Sequence, residues 1–392
     1  MRRRTALTLA FAAGVAVVVF LAVRPAGRGR RDRGPAPGAR GPVGKGEWRI
    51  FRGSTGMLGV ASGALPARPA LRWKFKTGGP VGSSPVVAAG RVYVGSGDAN
   101  VYCLDLATGK KLWHFATRDS VDAPPTVVDD TVYVGSADGF LYALDAKAGT
   151  LRWKIETEDK ILGAANTFRD AKTGKSRIVV GSYDYNLYCL DPADGKTLWK
   201  YESGNYINGG IAVAGGRTVF GGCDAVIHVV GPDGKDEGKI DAGAYVAATP
   251  AFDGKRVYVG NYEGSMVCAD VEARKVVWTY EREDPFVSSP AVGAERLLAG
   301  CRDGRLYCLD RKTGKKRWSF ATRAEVDSSP VICGEKVVFG SGDGRLYIVS
   351  LAEGKKLWSY ELGDAIASSP AVAGGLILIG CNNGTLYAFG GK

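Results

Sequence analysis

The sequence predicts an all-β fold, an eight-bladed β-propeller of four-stranded antiparallel blades, and three observations carry that reading. Glycine is abundant (56 of 392 residues), and the stretches between glycines are rich in Val, Tyr and Trp, as short strands joined by tight turns require. Tryptophan recurs every 40 residues, at Trp73, Trp113 and Trp153 and again at Trp278, Trp318 and Trp358, with Trp199 standing 46 after Trp153. A period near 40 built from short strands marks propeller blades. The third observation is a count: the central strand pair of the unit occurs eight times, beginning near Val92, Val132, Ile178, Val219, Val257, Leu297, Val337 and Leu376.

In chain order, residues 5–23 (TALTLAFAAGVAVVVFLAV) form an uncharged run behind Arg2, Arg3 and Arg4, read as an N-terminal hydrophobic helix that is an uncleaved signal anchor, with a cleaved signal peptide as the alternative. Residues 24–46 are Gly, Pro and Arg with almost nothing apolar, a disordered basic linker. These first 46 residues hold nine arginines and Lys45 against Asp32 alone, so most of the formal +12 resides there. The remainder is nearly balanced, so the total does not imply a basic binding face, and no nucleic-acid partner is expected.

Within a unit, SPVVA (84–88) is followed by RVYVGS (91–96), VYCLD (101–105) and KLWHFAT (111–117). Asp-Gly pairs such as Asp138-Gly139 and Asp303-Gly304 supply the positive φ that tight hairpins prefer, and Gly109, Gly149 and Gly314 serve the next turn. The eighth unit lacks its fourth strand because the sequence stops soon after TLYAF (385–389). An unmatched strand, LRWKFK (71–76), stands before the first unit. The reading is that this N-terminal strand completes the eighth blade and closes the ring. The fourth blade is the poorest copy, with Ile240 where the tryptophan belongs, and the third carries an insertion within 168–177.

The stretches LDLATGKKLW (104–113), LDPADGKTLW (190–199) and LDRKTGKKRW (309–318), each behind a YVGS-x-DG-x-LY pattern or a variant of it, resemble the pyrroloquinoline-quinone-like (BamB-like) propeller repeat. EWRIFRG (47–53) is similar to the lead-in of envelope proteins of this type, so the resemblance covers about 47–392. It implies that Trp73, Trp113, Trp153, Trp199, Trp278, Trp318 and Trp358 dock against the neighbouring blade. The family embraces quinone-dependent dehydrogenases as well as the assembly factor BamB. The dehydrogenases hold their cofactor with adjacent cysteines, a calcium and an aspartate base; this sequence has no Cys-Cys pair and only two histidines.

No catalytic residue, cofactor or metal site is therefore expected. The eight cysteines replace small residues at equivalent repeat positions and read as buried packing groups. His228 takes the place of Tyr102 or Tyr142 and reads as a packing substitute, while the hairpin aspartates recur with the fold and read as turn formers. What does not repeat is the loop between each fourth strand and the next first strand. Arg118, Asp119, Asp122, Asn166, Tyr206, Asn208, Tyr245, Arg282, Phe286, Arg323 and Asp327 are predicted to form a partner or ligand face there. The expectation is a noncatalytic, monomeric interaction scaffold in the cell envelope, anchored in the inner membrane through residues 5–23 with its propeller outside the cytoplasm, or periplasmic or secreted if cleaved. Its partners would be envelope proteins, as in BamB. A quinone-dependent dehydrogenase-like enzyme or a small-ligand-binding propeller is the alternative.

Overall fold

In the computed structural model, residues 46–66, 68–246 and 248–391 are described. The apolar run 5–23 and the basic linker to residue 45 lie outside them. Among the described residues no helix is long and apolar enough to cross a membrane.

Among the described residues the strands form eight sheets. In the first blade Val86–Ala88, Arg91–Ser96, Asn100–Asp105 and Lys111–Ala116 pair in that order, each antiparallel to the last, and blades two to seven repeat the pattern. The eighth blade comprises Ala371–Ala373, Leu376–Cys381 and Thr385–Gly390, and its fourth strand is Ala70–Lys76 from the other end, with Trp73 opposite Ala388. The two middle strands of each blade are buried almost throughout, so the core lies between neighbouring sheets.

A belt of hydrogen bonds links the innermost strands around the ring. Gly210 N donates to Thr249 Oγ1 (2.7 Å), Thr249 N to Ser289 Oγ (3.1 Å), Ser289 N to Ser329 Oγ (2.9 Å), Ser329 N to Ser369 Oγ (3.0 Å) and Ser369 N to Ser84 Oγ (2.9 Å). Ser83 Oγ to Ala123 O, Thr126 Oγ1 to Ala165 O and Asn166 Nδ2 to Ile211 O carry it through blades one to four. The Ser-Ser-Pro that opens four of the inner strands is thus an inter-blade coupling.

The sequence reading did not anticipate the path of residues 47–61. This segment runs inside the ring and visits the inner strands in order, giving the free edge of most of them an acceptor. Val87 donates to Trp48 O, Val127 to Arg49 O, Val213 to Thr55 O, Phe252 to Gly56 O, Val292 to Leu58 O and Ile332 to Gly59 O, all at 2.7–2.9 Å. It ends as the strand Val60–Ala61, parallel to Val331–Cys333. Inner edges that would otherwise present unpaired amides to a channel are covered, and Trp48, Ile50, Phe51 and Met57 are buried beneath them.

Candidate functional site: the loop face

The variable loops are held in place by the residues that repeat. Asp138 Oδ1 accepts the Phe140 amide (3.0 Å) within its own hairpin, while Oδ2 accepts the Tyr142 hydroxyl (2.7 Å) and the Arg118 amide (2.9 Å) from the loop that enters the blade. The same tyrosine–aspartate bond recurs at Tyr102–Asp98, Tyr188–Asp184, Tyr307–Asp303 and Tyr347–Asp343 (2.5–2.7 Å). In the fourth blade His228 substitutes for the tyrosine. Its Nε2 lies 2.7 Å from Asp224 Oδ2, Nδ1 lies 3.0 Å from the Tyr201 hydroxyl, and the ring stacks on Phe220 at 4.8 Å. Burial holds its pKa below the usual 6.5 despite the pull of Asp224.

Two of the predicted face residues are not on the face. Asn166 is fully buried and donates through Nδ2 to both Ile211 O (2.6 Å) and Thr55 O (2.7 Å), so it ties two blades to the internal segment. Phe286 is likewise fully buried, against Tyr280 and Tyr307, at the position that Val81, Val121, Ile161 and Val326 fill elsewhere. Both sit within or beside a varying loop, and a varying sequence does not distinguish a side chain aimed inward from one aimed outward.

The others lie on or near the surface in separate groups. Arg118 covers the Phe140 ring at 5.5 Å, the Asp119 carboxylate accepts the Ser120 amide (2.6 Å), and Asp122 accepts the Ser120 hydroxyl (2.9 Å). Arg282 covers Tyr307 at 5.6 Å with Asp303 at 3.5 Å, and Arg323 is fixed by its main chain to Asp343 (3.1 Å). Asp327 is gripped by both Nε (3.2 Å) and Nη2 (2.9 Å) of Arg302. Asp122 and Asp327 thus have separate partners, as a polar rim does.

Tyrosines gather over blades three to five. Tyr206 packs on Tyr183 (4.9 Å) and Tyr185 (5.2 Å), and the Tyr183 hydroxyl donates to Asn208 Oδ1. Tyr245 and Tyr262 follow, joined by a main-chain bond of 2.9 Å. Tyr185, Tyr206, Tyr245 and Tyr262 are between 38% and 59% exposed, unusual for such large rings so close together. Burial pushes the Tyr183 hydroxyl up to about 12, and Cys223, Tyr262, Asp159 and Tyr206 add to it.

Sequence reasoning missed Tyr183, Tyr185, Tyr262 and Arg302 because they stand in hairpins set aside as repetitive. The signal was present: the residue before each hairpin aspartate or its counterpart runs Gly97, Ala137, Tyr183, Cys223, Tyr262, Arg302, Gly342 and Asn382 around the ring. Large side chains occupy blades three, five and six, and small or amide ones the opposite arc. Among the described residues no cluster of three or more His, Cys, Asp or Glu is placed to hold a metal ion. Seven cysteines are buried and Cys223 half-buried; burial lifts the Cys103, Cys189 and Cys301 thiols to about 12. This donor set does not fit the adjacent cysteines and calcium ligands of a quinone site.

The family model described as "Outer membrane protein assembly factor BamB" matches residues 60–206 and 184–391. No curated protein matches the sequence. Among solved structures, BamB from Moraxella catarrhalis superposes with a TM-score of 0.69 at 17% identity, over 82% of this chain and 100% of that one. The quinohemoprotein alcohol dehydrogenase of Comamonas testosteroni gives 0.74 at 18%, over 90% and 81%. A europium-containing methanol dehydrogenase gives 0.73 at 14%, over 88% and 98%. At such identities the structural likeness speaks for the fold, shared by scaffold and enzyme. The family match spans nearly all of the propeller, and the chain belongs to the BamB-like family of pyrroloquinoline-quinone-like repeat propellers.

Proposed function

We propose that the protein is a noncatalytic interaction scaffold that recognises a protein partner with its loop face, exported and held at the membrane by residues 5–23, with a role in envelope protein assembly of the kind BamB's name describes. One observation carries the reading: the exposed tyrosines over blades three to five. Tyrosine brings a large, rigid contact area at low conformational cost and is enriched where proteins meet. The neighbouring Arg302–Asp327 pair supplies a polar rim of fixed geometry.

The test is affinity capture from envelope extracts with wild type and a Tyr206→Ala/Tyr245→Ala/Tyr262→Ala variant of unchanged circular dichroism. These are three of the large exposed rings of the patch, and losing all three is expected to weaken capture at least about 100-fold. Retention of the same partners by the variant sinks the proposal. Reduction of a dye by the protein loaded with pyrroloquinoline quinone would favour the enzymatic reading instead.

A further inference from the structure

We infer that the face opposite the variable loops rests on an anionic lipid bilayer, so that the propeller stands on the membrane with its tyrosine-bearing face turned away. The inference deepens the reading above and rests on it for the export of the chain and for its anchor.

The propeller is electrically polar. Taken with the strand residue on either side, the connections of the loop face, which join fourth to first and second to third strands, carry eight Lys and Arg against twenty-one Asp and Glu. The turns of the opposite face, which join first to second and third to fourth strands, carry twenty-two against sixteen by the same measure. The excess is confined to one arc: blades six, seven, eight and one hold eleven of those cations and five of the acids, while blades two to five are balanced. Lys110, Lys111, Lys315, Lys316, Lys355 and Lys356 are exposed in that arc, and among the described residues only Lys355 has a carboxylate within 4 Å, Glu353 at 2.8 Å.

Two further observations point to lipid. The fourth strand of each blade starts at this face, and its first positions expose aliphatic side chains. Leu71, Leu112 and Leu357 lie in the basic arc at 38–46% exposure, the last two directly after a lysine, and Leu151, Leu198 and Val276 continue the rim. Ammonium groups that meet lipid phosphates beside aliphatic groups that enter the headgroup layer give a folded domain its hold on an anionic interface. The other observation is where the chain enters. A Cβ on Gly46 would lie 4.0 Å from Gly374, and the Glu47 carboxylate accepts the Ala89 amide (3.3 Å); Gly374 and Ala89 belong to turns of this face, in blades eight and one. The sequence that joins on there, residues 24–45, adds six arginines and Lys45 against Asp32, behind the apolar run 5–23. A tether attached within the basic arc presents that arc to the bilayer, and an anionic surface attracts it while repelling the acidic loop face.

The experiment is lysine footprinting of the full chain reconstituted in vesicles of phosphatidylcholine alone or of equal parts phosphatidylcholine and phosphatidylglycerol, with a membrane-impermeant acetylating reagent and mass spectrometry. Acetylation of Lys110, Lys315 and Lys355 is expected to slow at least about fivefold in the anionic vesicles, the factor one basic residue gains near such a surface. Lys76 and Lys160, exposed on the loop face, should react equally in both. Salt at about 1 M, which shortens the screening length to about 3 Å, should restore the reactivity. Lys111→Gln/Lys316→Gln/Lys356→Gln, surface changes that leave the three reporters in place, should at least halve the protection. Equal reactivity of the turn lysines in both lipids, protection of Lys76 and Lys160 instead, or undiminished protection in the triple variant overturns the proposal. Protection of the same lysines by a short DNA duplex and not by the anionic vesicles would assign the face to nucleic acid and overturn it as well. Flotation with the phosphatidylcholine vesicles reads the anchor separately: a chain that fails to float there is not held by residues 5–23, and its footprint with added anionic vesicles still decides for or against the face.

Discussion

His228 shows how a single side chain keeps a repeat working after its usual residue is lost. It retains the bond to the hairpin carboxylate that a tyrosine makes in five other blades, but, unlike a tyrosine, it can become a cation. Its ring faces Asp224, Asp236, Lys239 and the Tyr201 hydroxyl, and burial dominates, so the folded state prefers the neutral ring. With the folded pKa depressed below 6.5, the unfolded chain takes up the proton first as pH falls, and stability declines below about pH 6.5. Burial works against the Asp224 carboxylate too, but His228 and the amides of Gly204 and Val226 outweigh it and hold its pKa below the usual 3.8, so its contribution is lost only at lower pH. Urea unfolding as a function of pH should show the first decline in wild type and not in His228→Tyr, which restores the residue of the other blades. A parallel decline in both proteins would show that His228 does not carry it.

At the scale of the element, the tryptophan of one blade and the glycine of the next are a matched pair. The indole nitrogens of Trp73, Trp113, Trp153, Trp199, Trp278 and Trp318 donate across the junction at 2.9–3.2 Å to a carbonyl in the following turn. A Cβ on Gly149 would stand 2.5 Å from the Trp113 ring, at φ +72°. In the fourth blade the register corrects the sequence expectation: Gly238, opposite Val229 as Trp199 is opposite Cys189, holds the tryptophan position and Ile240 that of Tyr201. The glycine of the following turn is replaced there by Arg274, at φ 52°, whose side chain lies beside Gly238. Trp358 differs because the eighth blade has no turn between its third and fourth strands; it packs edge-on against Phe389 (5.5 Å) instead. Gly149→Ala is expected to destabilise by about 2–4 kcal/mol, of which roughly 1–2 is the left-handed backbone and the rest overlap. Gly174, at φ +68° with nothing within 4 Å of a Cβ, reports the backbone part alone when changed to alanine. Thermal or urea unfolding of both separates the two, and equal losses would remove the docking explanation.

For the whole molecule, integrity rests on two devices that lie far apart in sequence: the first long strand in the last blade, and the segment 47–61 coiled inside the ring. The segment also buries Arg52 at 1% exposure, with its guanidinium on Ser329 O (3.1 Å) and Pro330 O (2.5 Å) and, among the described residues, no acceptor at Nε and no carboxylate partner. Desolvation lowers its pKa to about 9. Gly59 is required beside it, since a Cβ there would fall 2.0 Å from the guanidinium. Six inner-strand amides depend on the segment, each worth about 1 kcal/mol net or a little less. A chain beginning at Pro66 is therefore expected to lose at least about 3 kcal/mol, the relief of burying Arg52 offsetting part of the loss. Hydrogen exchange should quicken first at Val87, Val127, Val213, Phe252, Val292 and Ile332. Unchanged protection at those amides would mean that the segment is passive filling.

Periodicity alone determined the strand order, the eight blades, the turn glycines and the place of LRWKFK, because a repeat writes each local constraint many times and one copy corrects another. It also marked the loops where the pattern breaks. It could not decide which loop residues face outward: Asn166 and Phe286 vary like their neighbours yet are buried, and Tyr183, Tyr262 and Arg302 lie in hairpins that otherwise look uniform. Nor could it show that EWRIFRG enters the ring, or that Arg311 folds back onto Tyr258, Gly293 and Asp253 of its own and the preceding blade. Those outcomes are set by contacts between residues tens to hundreds of positions apart, where steric fit and the satisfaction of buried polar groups choose the partner, and no local pattern records that choice.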